Sequence, residues 1–261
     1  MASGTPGGTA NPARVYDYLL GGSDNTGADR AAARRLIRAQ PGLRVNVQAN
    51  RRFLGRVVRY LAAEAGIRQF LDIGTGLPMT ENTHEIAQET APAARIVYVD
   101  NDPLVITTAR ALLTSSPQGE VDYVHADLRF PRIILNRARH ILDFTQPTAI
   151  LLLGVLHNLR DVQQPWNIVA TLTSALPPGG YLAISHPASD ILPSQSTAAA
   201  KIYKTMTGIT LTNRTRAEVT RFFDGLNLVE PGIVPLSHWR PDKDDDTEAT
   251  ISTWAGLGIR P

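Results

Sequence analysis

Between Arg68 and His186 the chain repeats strand, turn and helix, and this alternation constrains the fold more than any other feature. QFLDIG (69–74), RIVYVD (95–100), VDYVHAD (121–127), TAILLLGVL (148–156) and YLAISH (181–186) read as strands. Helical segments are expected between them at 81–90, 103–113, 131–142 and 162–176. A parallel neighbour needs a crossover of a dozen residues or more, and helices of this length supply it. The unbroken apolar run at 148–156 suits a strand covered on both faces. The predicted class is α/β, a doubly wound and mostly parallel sheet.

The flanks have a different rhythm. Residues 14–22, 28–40 and 44–65 read as helices, the last with Val47, Leu54, Val57, Val58 and Leu61 at helical spacing and Gly66 as its stop. The expected organisation is a flexible tail at 1–12, an N-terminal helical cap at 13–66 and a core at 67–261, with cap and core forming one compact unit. After the fifth strand, helices at 195–207 and 215–226 and strands at 228–234 and 250–259 are expected. Ten arginines and three aspartates lie in residues 1–60, a bias read as a solvated helix face. There is no cysteine, which excludes disulfides, thiolate metal sites and a cysteine nucleophile. The N-terminus lacks the pattern of a signal peptide, and AILLLGVL (149–156) is far too short to span a bilayer, so a cytoplasmic protein is expected.

Ligands of doubly wound sheets bind at the carboxyl ends of the central strands. FLDIGTGLP (70–78) places Gly74 and Gly76 there, where the missing Cβ lets backbone approach a ligand. Asp100 ends the second strand, 24 positions after Gly76, where a carboxylate can accept both ribose hydroxyls. Asp127 follows the third strand, placed for an adenine amino group with Leu128 packed beside it, and Asp72 precedes the turn. Each aspartate alone is as well explained as a helix cap, but three at successive strand ends favour a shared ligand. A dinucleotide fits less well. The third small position of G-x-G-x-x-G is Met79 here, Pro78 removes an N–H that phosphate would use, and Asp72 would repel pyrophosphate but attract an ammonium group.

RVYDYLLGGSDN, NRRFLGRVVRYLAAEAGIRQFLDIGTGLP, RIVYVDNDP, LHNLRD, LPPGGYLAISH and FFDGLNLVEPGIVPLSHWRPD together resemble the actinobacterial S-adenosylmethionine methyltransferase-like family, a former domain of unknown function, from about Asn11 to Arg260. The resemblance implies a class I methyltransferase fold of seven strands, the last antiparallel, under a helical cap. It implies S-adenosyl-L-methionine around Asp72, Gly74, Gly76, Asp100 and Asp127, with Thr75, Asn101, Leu128 and Val155 as flanking contacts. It assigns no acceptor. Ser23, Met79 and Gly180 depart from the family's usual Lys, Thr and Ser, so an acceptor contact by that Lys does not carry over.

Methyl transfer demands alignment of the acceptor, and a hydroxyl or protonated amine acceptor also calls for a base. His157, in GVLHNL after the fourth strand, and His186, ending the fifth, are the candidate catalytic residues. Tyr16, Asp17 and Tyr18 of the first helix, and Asn158, are candidates for the acceptor site. For Trp166 and Trp239, packing is favoured over stacking on a ligand. No spacing singles out a metal site. The absence of an N-P-P-Y or D-P-P-Y tetrapeptide, and of arginines alternating with exposed aromatics, disfavours nucleobase substrates and nucleic-acid partners. The expected partner is a small-molecule O or N acceptor with no membrane involved. A cofactor-fold protein that binds without transferring stays open, with an NAD-dependent oxidoreductase as the weaker alternative.

Overall fold

The computed structural model describes residues 8–243 and 247–261, so most of the expected tail (1–7) and residues 244–246, within the segment DKDDDTE (242–248) of five acids and one lysine, lie outside the described residues. Five parallel strands form the frame: β1 (Gln69–Ile73), β2 (Arg95–Asp100), β3 (Glu120–His125), β4 (Ala149–Leu153) and β5 (Tyr181–Pro187). Three antiparallel pieces complete it: β6 (Asn227–Leu228), β7 (Val234–Pro235) and β8 (Thr253–Ile259). The order is β3-β2-β1-β4-β5-β8-β6, with β7 also on β8. The chain direction thus diverges between β1, which leads out to β2, and β4, which leads the other way. That divergence is the switch point where such sheets bind ligands. The strand expected at 228–234 is instead two dipeptides, β6 and β7, both paired with β8. Gly232, at φ 82°, and Pro231 interrupt it, because a proline nitrogen has no hydrogen for a ladder.

The central strands are apolar on both faces because helices cover both. On one face α3 (Leu43–Ala63), α4 (Thr83–Thr90) and α5 (Pro103–Leu112) bury Phe53, Val57, Leu61, Ile86 and Ile106 against Phe70, Ile96 and Leu151. Trp239 joins this cluster fully buried, its ring edge-on to Phe53 at 5.3 Å, in keeping with the packing role expected. On the other face α6 (Pro131–Ala138), α7 (Pro165–Thr173) and the turn after α9 (Arg216–Thr220) bury Ile134, Leu172 and Phe222 against Leu71, Val97 and Ile150. Each such side chain contributes about 1.5–3 kcal/mol of transfer free energy. Trp166 stacks on Phe222 at 5.5 Å and is likewise a packing residue.

A third apolar cluster lies above the carboxyl edge of the sheet. Val15 and Leu19 of α1 (Pro12–Leu20) and Ala32, Ala33 and Leu36 of α2 (Gly27–Ala39) meet Ala199 and Tyr203 of α8 (Pro193–Thr207). The cap is therefore not the property of the first 66 residues alone: α8, from the far end of the chain, is its third wall. The chain before α1 is also held. Ala10 is buried and its N–H donates to the Met206 carbonyl at 3.0 Å, so the expected tail ends before it. The basic segment is mostly exposed or half-exposed, except Arg56, which is buried and donates to the Leu236 and Trp239 carbonyls at 2.7 and 3.0 Å.

Candidate active site

Strand β1 runs directly into the glycine turn, and β2 fixes it. The Gly74 N–H donates to the Val99 carbonyl at 2.7 Å, and the Gly76 N–H to Asp100 Oδ2 at 3.1 Å. Both glycines have left-handed φ, 79° and 68°. At Gly74 a Cβ would also lie 2.5 Å from a Val155 methyl, so the turn and the loop after β4 approach closely only because that atom is missing. Asp100 Oδ1 accepts the Asp102 N–H at 2.9 Å. Each oxygen of Asp100 therefore takes one backbone hydrogen and keeps acceptor capacity for a further donor.

Asp72 is buried on β1. Thr83, at the start of α4, donates its hydroxyl to Asp72 Oδ2 at 2.6 Å. Burial dominates, pushing this carboxyl up to about 6 against the hydrogen bond from Thr83 and the nearby Arg51 guanidinium. Burial also raises Asp100. Asp127 differs. It is half-buried and its two oxygens are gripped by the Arg129 guanidinium, which holds the carboxyl below its ordinary value. Any adenine amino group must compete there with Arg129. Leu128 is buried beside it, whereas Asn101 is exposed.

A cavity of about 690 Å³ opens along this edge. Its floor includes Asp72, Gly74, Thr75, Gly76, Asp100, Asn101, Asp127, Leu128 and Val155, so every cofactor residue expected from the sequence reaches one space. Tyr16, His157 and Asn158 line it as well. His157 sits in the short turn after β4. Its Nδ1 is shut off from solvent and has no hydrogen-bond partner, and the same holds for Asn158 Oδ1. Burial, with the Arg214 guanidinium nearby, lowers the His157 imidazole to about 4, so the ring is neutral at pH 7.

Three candidates fall away from this cavity. His186 is fully buried behind Ser185 and Pro187. Its Nε2 faces Arg214 Nη1 at 2.9 Å and its Nδ1 faces the Pro187 carbonyl at 3.0 Å. An arginine can only donate, so Nε2 accepts and Nδ1 carries the hydrogen; both nitrogens are occupied and His186 has no access to an acceptor. Asp17 turns inward to hold the helix end: Asn25 donates to its Oδ2 at 2.7 Å, and a Cβ on Gly22 would lie 2.0 Å from its Oδ1. The YDYLLGGSDN stretch is thus a capping device around Asp17. Tyr18 lies under the Arg44 guanidinium, 5.0 Å from ring centre to charge, outside the cavity wall.

The sequence reading passed over other residues of the wall. Asn50 and Arg51 of α3 stand between cap and floor. Asn50 Nδ2 donates to the Tyr16 hydroxyl at 3.0 Å, and its Oδ1 accepts from Ser185 at 2.6 Å. Arg51 donates to the carbonyls of Thr80 and Glu81, beside the glycine turn. The signal was present: Asn46, Val47, Asn50, Arg51 and Leu54 fall on one helical face, a mixed polar and apolar stripe that is neither solvated nor pure core. Arg214, 1% exposed, is the other omission, tying the turn after β4 through the carbonyls of Leu156 and Leu159 and Asp161 Oδ1.

A parallel sheet reversed at β1/β4, closed by an antiparallel β8 and carrying a glycine turn with acids at the ends of β1 and β2, defines a class I methyltransferase. The chain matches the S-adenosyl methyltransferase family model over residues 6–261 and belongs to that family. It is 42% identical to a DUF574 family protein from Streptomyces avermitilis, with 97% of this chain and 98% of that one covered and a TM-score of 0.93. A methyltransferase candidate from Thermobifida fusca is 43% identical over 97% and 95% of the two chains, with a TM-score of 0.88. An O-methyltransferase family 2 protein from Planctomyces limnophilus, 18% identical over 90% of this chain and 66% of that one, shares the fold at a TM-score of 0.51. No curated protein matches the chain.

The protein is a methyltransferase with S-adenosylmethionine as its cofactor. The donor set fits that molecule's mixed charges. Asp72 is a buried carboxylate with no cation hydrogen-bonded to it, Asp100 has spare acceptor capacity, and the turn at Gly74 keeps space that a Cβ would fill. Among the described residues no helix is long and apolar enough to cross a membrane, and no cluster of His, Asp and Glu could hold a metal ion.

Proposed function

We propose that the protein methylates a small-molecule O or N acceptor held beneath the helical cap. The observation that carries this reading is the single cavity that joins the Asp72–Gly76–Asp100 edge to Tyr16, His157 and Asn158. In this assignment Asp72 faces the ammonium of the methionine moiety and Asp100 accepts from the ribose hydroxyls. Gly74, Thr75, Gly76 and Val155 shape the floor, and Asn101, Asp127 and Leu128 border the adenine. When bound, S-adenosylmethionine supplies a sulfonium methyl group, which is electrophilic without metal assistance.

The chain's own residues do the rest. Tyr16 and Asn158 orient the acceptor, since positioning is the main requirement of an in-line displacement. The Tyr16 hydroxyl accepts from Asn50 and so keeps its own hydrogen to donate, and burial raises its pKa, which preserves the neutral form. His157 is the base of this reading: its ring is neutral, and it receives the proton of a hydroxyl acceptor once Nδ1 turns into the cavity, as a weak base because burial and Arg214 lower it to about 4.

The test is calorimetric titration with S-adenosylmethionine and S-adenosylhomocysteine, with NAD as control and Asp100→Ala as a second protein. Binding of the first two, weakened about 10-fold or more in the variant, is expected for the loss of hydrogen bonds to a charged acceptor. NAD binding in place of both, or equal binding by the variant, would remove the assignment.

A further inference from the structure

The wall of the cavity is divided by charge. Its ionisable groups of fixed charge are Arg51, Asp72, Asp100, Asp102, Asp127 and Arg129. All but Arg51 belong to β1, to the end of β2 or to the loops after β2 and β3, and Arg51 sits over the glycine turn. The cap end carries none: Leu19, Leu36, Val47, Ala199, Ile209 and Leu211 line it, together with the neutral polar side chains of Gln40, Asn46 and Tyr203. Lysines do occur on α8, at Lys201 and Lys204, but neither reaches the cavity.

A second feature is independent of the first. Three residues that line the cavity each carry an enclosed polar atom with no hydrogen-bond partner: His157 Nδ1, Asn158 Oδ1 and Asn213 Oδ1. The Asn213 amide nitrogen is committed to the Ser196 hydroxyl at 2.6 Å, which leaves its oxygen free. Two of the three are carbonyl oxygens and the third accepts in one tautomer of a neutral ring, so the unmet demand is for donors. Buried polar atoms are nearly always paired, and each exception in a binding wall points to what the ligand brings. The size agrees: a drug-sized ligand needs a pocket of roughly 300–1,000 Å³, and about 690 Å³ leaves room beside the cofactor for a second compact molecule.

We infer that the acceptor is an uncharged, largely apolar molecule that presents hydroxyl donors, a phenol being the simplest member of the class. This rests on the methyl-transfer reading above and adds the selection rule. A carboxylate or ammonium acceptor would enter a chamber with no counter-charge, and an unpaired buried charge is strongly disfavoured. A hydroxyl carries no such cost and pairs with His157 Nδ1 or an asparagine oxygen once a side-chain rotation turns that atom into the cavity, while the skeleton covers the leucines.

The experiment uses three probes of one shape, 2-naphthol, 2-naphthoate and 2-naphthylmethylammonium, titrated into the full chain with and without S-adenosylhomocysteine. Naphthol is expected to bind at least about tenfold more tightly than either ion. Leu211→Glu, a half-buried position outside the helices, should invert the preference toward the ammonium probe; a thermal unfolding midpoint confirms that the variant is folded. Equal affinities, tighter binding of an ion, or no binding of naphthol would overturn the proposal. Binding of S-adenosylhomocysteine is read separately: its failure sinks the cofactor assignment, whereas its success with indifferent probe binding sinks only the acceptor class.

Discussion

At the scale of single residues the site is a set of groups held away from their ordinary ionisation, and Asp72 shows what that implies. Its carboxyl titrates near 6 in the fold against about 3.9 in an unfolded chain. A raised carboxyl contributes stability that is complete below the unfolded value and is lost as pH rises through the folded one. Ionised Asp72 therefore costs the ligand-free protein on the order of 3 kcal/mol above pH 6. Asp72→Asn should raise the unfolding midpoint at pH 7.5, change little at pH 4 and weaken S-adenosylmethionine binding. In the parent, calorimetric affinity for the same molecule should fall about tenfold per pH unit below pH 6, as a proton must leave before an ammonium can dock. A pH-independent affinity between pH 5 and 7 would show that Asp72 does not face the ammonium.

At the scale of elements, the turn after β4 is placed by a residue from a distant segment. Arg214 reaches it through the Leu156 and Leu159 carbonyls, with its guanidinium over the ring faces of Trp166 and Phe222 at 5.2 and 5.5 Å. Its ion pair with Asp161 is of less account, since that carboxylate is 58% exposed. Arg214→Ala leaves two buried carbonyls and His186 Nε2 without their donor, at about 3 kcal/mol, and should lower the unfolding midpoint by about 5–10 °C. It also removes a positive charge that disfavours the His157 imidazolium, so the His157 titration followed by NMR should move upward from about 4. An unmoved titration would mean that Arg214 supports the turn without setting the charge of the histidine.

At the scale of the whole molecule, α1, α2 and α8 close one chamber from opposite ends of the chain. Ala199 of α8 is buried at that wall, 6% exposed. Ala199→Trp should fill the acceptor end at an overpacking cost of about 1–3 kcal/mol. Titration of 2-naphthol and of S-adenosylhomocysteine into this variant should show the first lost and the second retained. Joint loss would mean that the two ligands share one subsite. The hydrogen bond from Asn11 Nδ2 to Asp102 Oδ2 at 2.6 Å ties the start of α1 to the loop after β2, so the cap is anchored beside the Asp100 edge it covers.

The sequence by itself determined the layered sheet and its ligand edge, because those rest on local signals. Apolar runs such as 148–156, helical spacing in 44–65 and glycines with no tolerable Cβ are each written in a few consecutive residues. Asp72, Gly74, Gly76 and Asp100 followed from the same locality, since the residue that ends a parallel strand must stand at the binding edge. Which polar side chains face the cavity was decided only by tertiary structure. Asp17, Tyr16 and Tyr18 are neighbours in one helix, yet a turn of about 100° per residue sends only Tyr16 to the wall. His157 and His186 looked equivalent at two strand ends until Arg214, from a segment beyond α8, occupied one of them. Nothing local to residues 193–207 says that α8 completes a cap begun at residue 12, because its apolar positions specify that it packs and not against what.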